Sequence, residues 1–142
     1  MANIIPYAFR GELFTGTHNF ASGGDDFKLA LYTANPYTTA STVYSSTTEV
    51  SSAGSSNYTT TGNTLTGNAV AASTAVASCD FDDTQWTSAT FTAAFGAIYN
   101  DDQSDKLCVV LDFDGDKTAT NGTFKISFPN PSTPADAIIS MA

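Results

Sequence analysis

The side chains of this chain best able to do chemistry are carboxylates, and they fall in three groups. Asp80, Asp82 and Asp83 form one, Asp101, Asp102 and Asp105 a second, and Asp112, Asp114 and Asp116 a third. The third, DFDGDKT, opens like a calcium loop, whose ligands alternate as D-x-D-x-D. It departs from an EF-hand at the sixth position, where Lys117 replaces glycine, and at the twelfth, Thr123, which is not acidic. A solvated turn is the simpler expectation, and no metal is assigned. Paired carboxylates also hydrolyse glycosides, but only at a separation that sequence does not encode.

His18 is the single histidine. Nucleophilic catalysis would need it beside Ser or Cys and oriented by an acid. Its neighbours Thr17, Asn19 and Phe20 show no such pattern. One histidine and two cysteines do not suffice for an ordinary structural zinc site. No glycine-rich loop is followed by the Lys and Ser or Thr of a phosphate cradle. The expectation is a protein that is not an enzyme, with no catalytic residue, no cofactor and no metal. Trp86, Tyr37, Tyr44 and Tyr58 are of the type that stacks on sugar rings. The simpler reading makes Trp86 a plug at the end of the fold and the tyrosines anchors of a loop.

Cys79 and Cys108 sit in strand-like runs, ASCDF and KLCVVLDF. A disulfide fits if those strands are neighbours. Reduced, half-buried thiols are expected for a chain made in a cytoplasm. The start, MANIIPYAFRGELFTG, lacks the basic region and sustained apolar core of a signal peptide.

Composition narrows the partners. The chain has 142 residues, enough for one domain, with a formal net charge of −9. Binding a nucleic-acid backbone needs clustered Lys and Arg, and Arg10, Lys28, Lys106, Lys117 and Lys125 are scattered. The same sign disfavours an anionic membrane, and no apolar run nears the roughly 20 residues that span one. Only 13% of residues are charged, while Ser and Thr fill about a quarter of the chain. Such a surface packs against neighbours without desolvating charge.

The element expected to organise the fold is WTSATFTAAFGAIYN, residues 86–100. Ala89, Phe91, Ala93, Phe95, Ala97 and Tyr99 share one face of a strand, alternating ring and methyl. That suits packing against a second sheet. DDFKLALYT (residues 25–33), KLCVVLDF (106–113) and GTFKISF (122–128) read as further strands. Residues 63–81 read as two weaker strands parted near Ser73 and Thr74, with a helix as the competing reading because of their alanines. Residues 137–141 close as a short strand after a crossing stiffened by Pro129, Pro131 and Pro134. Residues 37–63 form a long Ser- and Thr-rich loop with one short element near residues 48–50. No amphipathic helix stands out. The predicted fold is all-β, an antiparallel two-sheet sandwich of jelly-roll type or a small barrel.

Residues 1–24 are apolar but aperiodic. They predict an extended N-terminal arm or an edge segment ahead of a single domain, residues 25–142. Ile4, Ile5, Tyr7, Phe9 and Phe14 are the candidate contacts of such an arm with a partner; Tyr37, Tyr44 and Tyr58 are the candidate contacts of the loop.

Three stretches resemble a group of small virion structural proteins of tailed bacteriophages: YSSTTEVSSAGSSNYTTTGNTLTG, CDFDDTQWTSATFTAAFGAIYND and LCVVLDFDGDKTATNGTFKISFP. An E-V, a G-x-x-L and an F-D-D-x-x-W leading into an alternating strand occur there in that order. The glycine-poor SSAGSSNY loop departs from the pattern. The resemblance implies a capsid cement or decoration protein, a homo-oligomer, commonly a trimer, that binds the major capsid protein on the outer face of the virion. It implies synthesis in the host cytoplasm and contact with neither nucleic acid nor membrane. The alternative within the same class is a tail-fibre, spike or baseplate module that binds host-surface glycan through the loop. A third reading is a free carbohydrate-binding module.

Overall fold

Strands β5 (Thr84–Asn100) and β6 (Lys106–Ile126) form one long antiparallel hairpin in the computed structural model, which describes residues 2–129 and 137–141. Strand β1 (Phe27–Tyr32) pairs with the last six residues of β5, and the two-residue β2 (Asn63–Thr64) pairs with β1. The sheet order is β2-β1-β5-β6, so the run expected to organise the fold is an interior strand. A second antiparallel sheet has the order β3-β4-β7, from β3 (Ala69–Ala72), β4 (Ala77–Asp80) and β7 (Ile139–Met141). The alanine-rich region is therefore strand, turning at Ser73, whose N–H donates to the Val76 carbonyl. Val70, Val76 and the exposed hydroxyls favour a pleated surface over a helix that has no cap.

The hairpin ladder shifts register at four places, and the largest shift lies between Ala93 and Phe95. Phe95 faces Asp112 and Ala93 faces Lys117, so residues 113–116 are extruded from β6. Asp114 and Gly115 take positive φ, 56° and 99°, to turn the backbone out and back. The sequence predicted two strands here; the pairing resumes beyond the bulge and makes them one. The bulge also changes the strand's parity. Ala89, Phe91 and Ala93 lie in the main core, but beyond it Ile98 takes that place, while Phe95, Ala97 and Tyr99 join a second cluster. A shift of one residue moves every side chain to the other face. The regular alternation of residues 89–99 thus serves two cores.

The main core takes Leu29 and Ile98 from the first sheet, and Cys79 and Ile139 from the second. Phe20 stacks on Phe27 at 4.3 Å between centroids. The second cluster, Ala30, Tyr32, Tyr37, Ala97, Tyr99, Leu107 and Val110, lies under the loop of residues 37–63 and under Ile4.

Helix α1 (Tyr7–Phe14) is an element that the sequence did not announce. Its eight residues are too few to be stable alone, and no side chain caps its N-terminus. It is held by tertiary contact: Phe9 is wholly buried, and the backbone ahead of the helix pairs Ile4 with Val110 through two hydrogen bonds. The N-terminal segment from Ile4 to Phe20 lies along the body, with Tyr7 and Phe14 facing outward. Pro131 and Pro134 lie outside the described residues. No helix among the described residues is long and apolar enough to cross a membrane.

Candidate functional site

His18 is drawn into the body by the chain reversal after α1. Its ring lies 5.1 Å from that of Phe9, and both ring nitrogens are occupied. Asn100 Nδ2 lies 2.9 Å from Nδ1 and 2.8 Å from Asp25 Oδ2, and Asn100 Oδ1 accepts the Gln103 N–H. The amide orientation is therefore fixed, and Nδ1 of His18 accepts. The ring proton sits on Nε2 and is donated to Glu12 Oε2 at 2.8 Å. Lys106 Nζ reaches the other Glu12 oxygen at 2.6 Å. Burial alone would raise the Glu12 carboxyl, but the hydrogen bonds of Lys106 and His18 overcome it and hold Glu12 below the usual carboxylate range. Asp25 is likewise pushed up by burial and brought lower on balance by donors from Asn19 and Asn100. No hydroxyl or thiol is hydrogen-bonded to the imidazole. The cluster is a buried clasp that joins α1 to the turn of the hairpin, and it lacks the geometry of a nucleophile and its base.

The tyrosines of the long loop are also consumed internally. Tyr58 donates to Glu49 Oε1 at 2.7 Å and receives the Leu31 N–H at 3.0 Å. Tyr44 donates to Glu49 Oε2 at 2.6 Å. Tyr32 and Tyr37 share a hydrogen bond of 2.7 Å, and Tyr37 also receives the Ser45 N–H. Glu49, the single acid of residues 37–63, joins Tyr44 and Tyr58, and the Thr61 N–H donates to it at 2.7 Å. Tyr37 and Tyr58 are buried and Tyr44 is half-buried against Tyr99, so the loop keeps these rings as anchors. Trp86 fills the end of the core against Tyr58, Phe91 and Phe124.

The acidic turns divide. Asp114 and Asp116 are exposed at the bulge, and Asp112 Oδ1 receives the Asp114 N–H at 2.9 Å. Among the described residues no three His, Cys, Asp or Glu side chains converge on one point. Cys79 and Cys108 are free and buried. Burial pushes the Cys79 thiol up to about 12, and it raises Cys108 well above the ordinary range.

What the body leaves uncovered is an apolar face along α1 and β7. Phe14 is 94% exposed, Tyr7 62%, Val70 58% and Met141 57%. A shallow, nearly wholly apolar cavity of about 410 Å³ lies between Ile5, Leu13, Phe14, Ile139 and Met141. Isolated exposed apolar side chains are ordinary, but a contiguous group beside an apolar groove marks an interaction surface. Arg10 is the one charged side chain on its margin. Among the described residues β7 is an edge strand of its sheet, next to the groove. Of the candidate partner contacts, the structure places Tyr7 and Phe14 on the outer surface, Ile5 in the groove wall, and Ile4 and Phe9 inward. Leu13, Val70, Ile139 and Met141 were not singled out from the sequence; the β-strand reading of residues 137–141 was the one available pointer. Comparison with family models, with curated proteins and with solved structures finds no match.

Proposed function

We propose that this chain is a virion structural protein of a tailed bacteriophage, a cement or decoration protein seated on the outer face of the capsid. The observation that carries the reading is the face around Phe14, the main apolar exposure on an otherwise hydroxylated, acidic surface. A cement protein works by binding alone. Each copy adds a modest interface to the major capsid protein, and many copies together resist outward pressure through summed contacts. In this reading the expected arm becomes a short helix lying on the body, and its outward residues Tyr7 and Phe14 reach the shell. Shared burial of both sheets in one core supports a sandwich, and jelly-roll topology is its proposed finer form. The protein is made in the host cytoplasm, assembles as a trimer, and takes no cofactor. An acidic outer surface keeps particles from adhering to one another. The loop of residues 37–63 offers the glycan-binding alternative little support, because its aromatic rings are spent on internal hydrogen bonds.

Copy number tests the reading. Mass-spectrometric stoichiometry of purified particles is expected to give hundreds of copies per virion. A few dozen or fewer would place the protein in the tail instead.

A further inference from the structure

Helix α1 carries an uncovered stripe. Tyr7 and Phe14 stand about two turns apart, so they share one side of the helix, with Arg10 and Gly11 between them. All four are exposed. Glycine weakens the interior of a helix, and this helix is short. Gly11 has ordinary helical backbone, and a Cβ added there would meet nothing within 4 Å. Among the described residues no internal contact therefore calls for glycine at this position. A bare backbone in the middle of an exposed apolar stripe lets a second helix cross at close range.

A knob and a socket lie side by side on this face. Phe14 projects almost wholly into solvent, and the groove between Ile5, Leu13, Ile139 and Met141 opens beside it. At about 410 Å³ the groove has room for a phenyl ring. A closed cavity of roughly 150 Å³ already holds benzene. A patch that bears both its own knob and its own socket is self-complementary about a twofold axis, the commonest symmetry by which identical chains close.

Charge and area fit a second copy. At a net charge of −9, two copies repel one another over most of their surface. Among the described residues the groove holds one charged side chain, Arg10, which is drawn back onto the Ile5 carbonyl and the Tyr7 ring. Glu12, the carboxylate of α1, turns away to Lys106 and His18. Two copies therefore meet here without opposing their acids. Aromatic side chains bury about 150–250 Å² each, so Tyr7 and Phe14 as exposed here offer roughly 300 Å². Val70, Met141 and the groove walls bring the total to on the order of 600 Å² per copy, the lower edge for a specific dimer.

We propose that free chains pair through this face. The two α1 helices cross antiparallel at Gly11, each Phe14 enters the groove of the other copy, and each Tyr7 lies against the Phe14 of the other copy. The interface is small, which sets a Kd on the order of 10–100 μM. The dimer is a state of the free chain and does not depend on the proposed function. On a capsid the shell would take the place of the second copy, and the trimer proposed there would use other surfaces.

The experiment is sedimentation equilibrium of the full chain from about 5 to about 500 μM, a range that brackets the expected Kd. It is run on the wild type, Phe14→Ser and Gly11→Gln. The wild type is expected to pass from monomer to dimer, and each variant to weaken the dimer at least tenfold. Gly11→Gln separates association from folding, because glutamine is the better helix former and its side chain has open space in the monomer. Its urea midpoint at about 5 μM should equal or exceed that of the wild type. Raising NaCl from about 0.05 to about 0.5 M screens the like charges and should tighten the wild-type dimer. A chain that stays monomeric at about 500 μM overturns the proposal, and capture of that monomer by capsids through Phe14 would assign the face to the shell alone. A dimer or trimer that both variants leave unchanged also overturns it, as does one that salt dissociates.

Discussion

Lys106 Nζ lies 2.6 Å from Glu12 Oε1, tying the end of α1 to the start of β6 across 94 positions of sequence. The same carboxylate holds His18 through its other oxygen. Both oxygens are mostly shielded, so the pair acts as more than a surface ion pair. Replacing Glu12 with Gln should lower the unfolding free energy by about 1–3 kcal/mol, measured by urea denaturation at pH 7. An unchanged midpoint would mean that the clasp adds nothing to stability.

The same group predicts a pH dependence. Glu12 and Asp25 both titrate lower in the folded chain than in the unfolded one. Their contribution is present above the unfolded carboxylate range, near pH 4, and is lost as pH falls through the depressed folded values. Stability should therefore decline on acidification below about pH 4.5, and Glu12→Gln should flatten that decline. Parallel curves for the variant and the wild type would remove Glu12 as a cause.

Tyr58 is the keystone of the loop network. Tyr58→Phe keeps the ring among Trp86, Phe91 and the core but leaves the Leu31 N–H without its acceptor and Glu49 short of one donor. A loss of roughly 1–3 kcal/mol is expected in chemical denaturation. Tyr44→Phe removes one donor from a half-buried group and should cost less.

Cys79 and Cys108 should resist modification. Only the thiolate reacts, and burial raises both thiols far from neutrality. A thiol reagent such as dithionitrobenzoate is expected to label neither in the native protein at pH 8 and both after denaturation. Rapid native labelling would show that the core around Ile139 opens readily.

Phe14 separates folding from binding. Its side chain is almost wholly in solvent, so Phe14→Ser should shift stability by no more than about 0.5 kcal/mol. On the proposed reading of a capsid cement protein, association with capsids that lack the protein should drop by an order of magnitude or more in a sedimentation assay. Retained binding would move the interface elsewhere on the body.

The strands were legible where one residue in two is apolar and the run is bounded by turn residues, as in β1, β5 and the first half of β6. The parity change at Phe95 was not legible. It depends on how many residues of β6 are extruded opposite, which is a property of the pair and not of either strand. Helix α1 escaped because Tyr7 and Phe14 are apolar on its outer side, which erases the amphipathic period by which surface helices are recognised. The candidate surface was half visible. Tyr7 and Phe14 could be named from composition, but β7 joins them only through pairing with β4. The loop tyrosines were read first as anchors, with stacking on sugar as the alternative, and the position of Glu49 is what fixes them inward.

The pairing of Ile4 with Val110 has a consequence for biosynthesis. The backbone around Ile4 has no place to dock until Val110, more than 100 residues later, has been translated. Until then Phe9 and Phe20 travel uncovered, in a chain whose decisive contacts are distant in sequence. A nascent chain stalled before Val110 should be a client of chaperones, and one released after it should not.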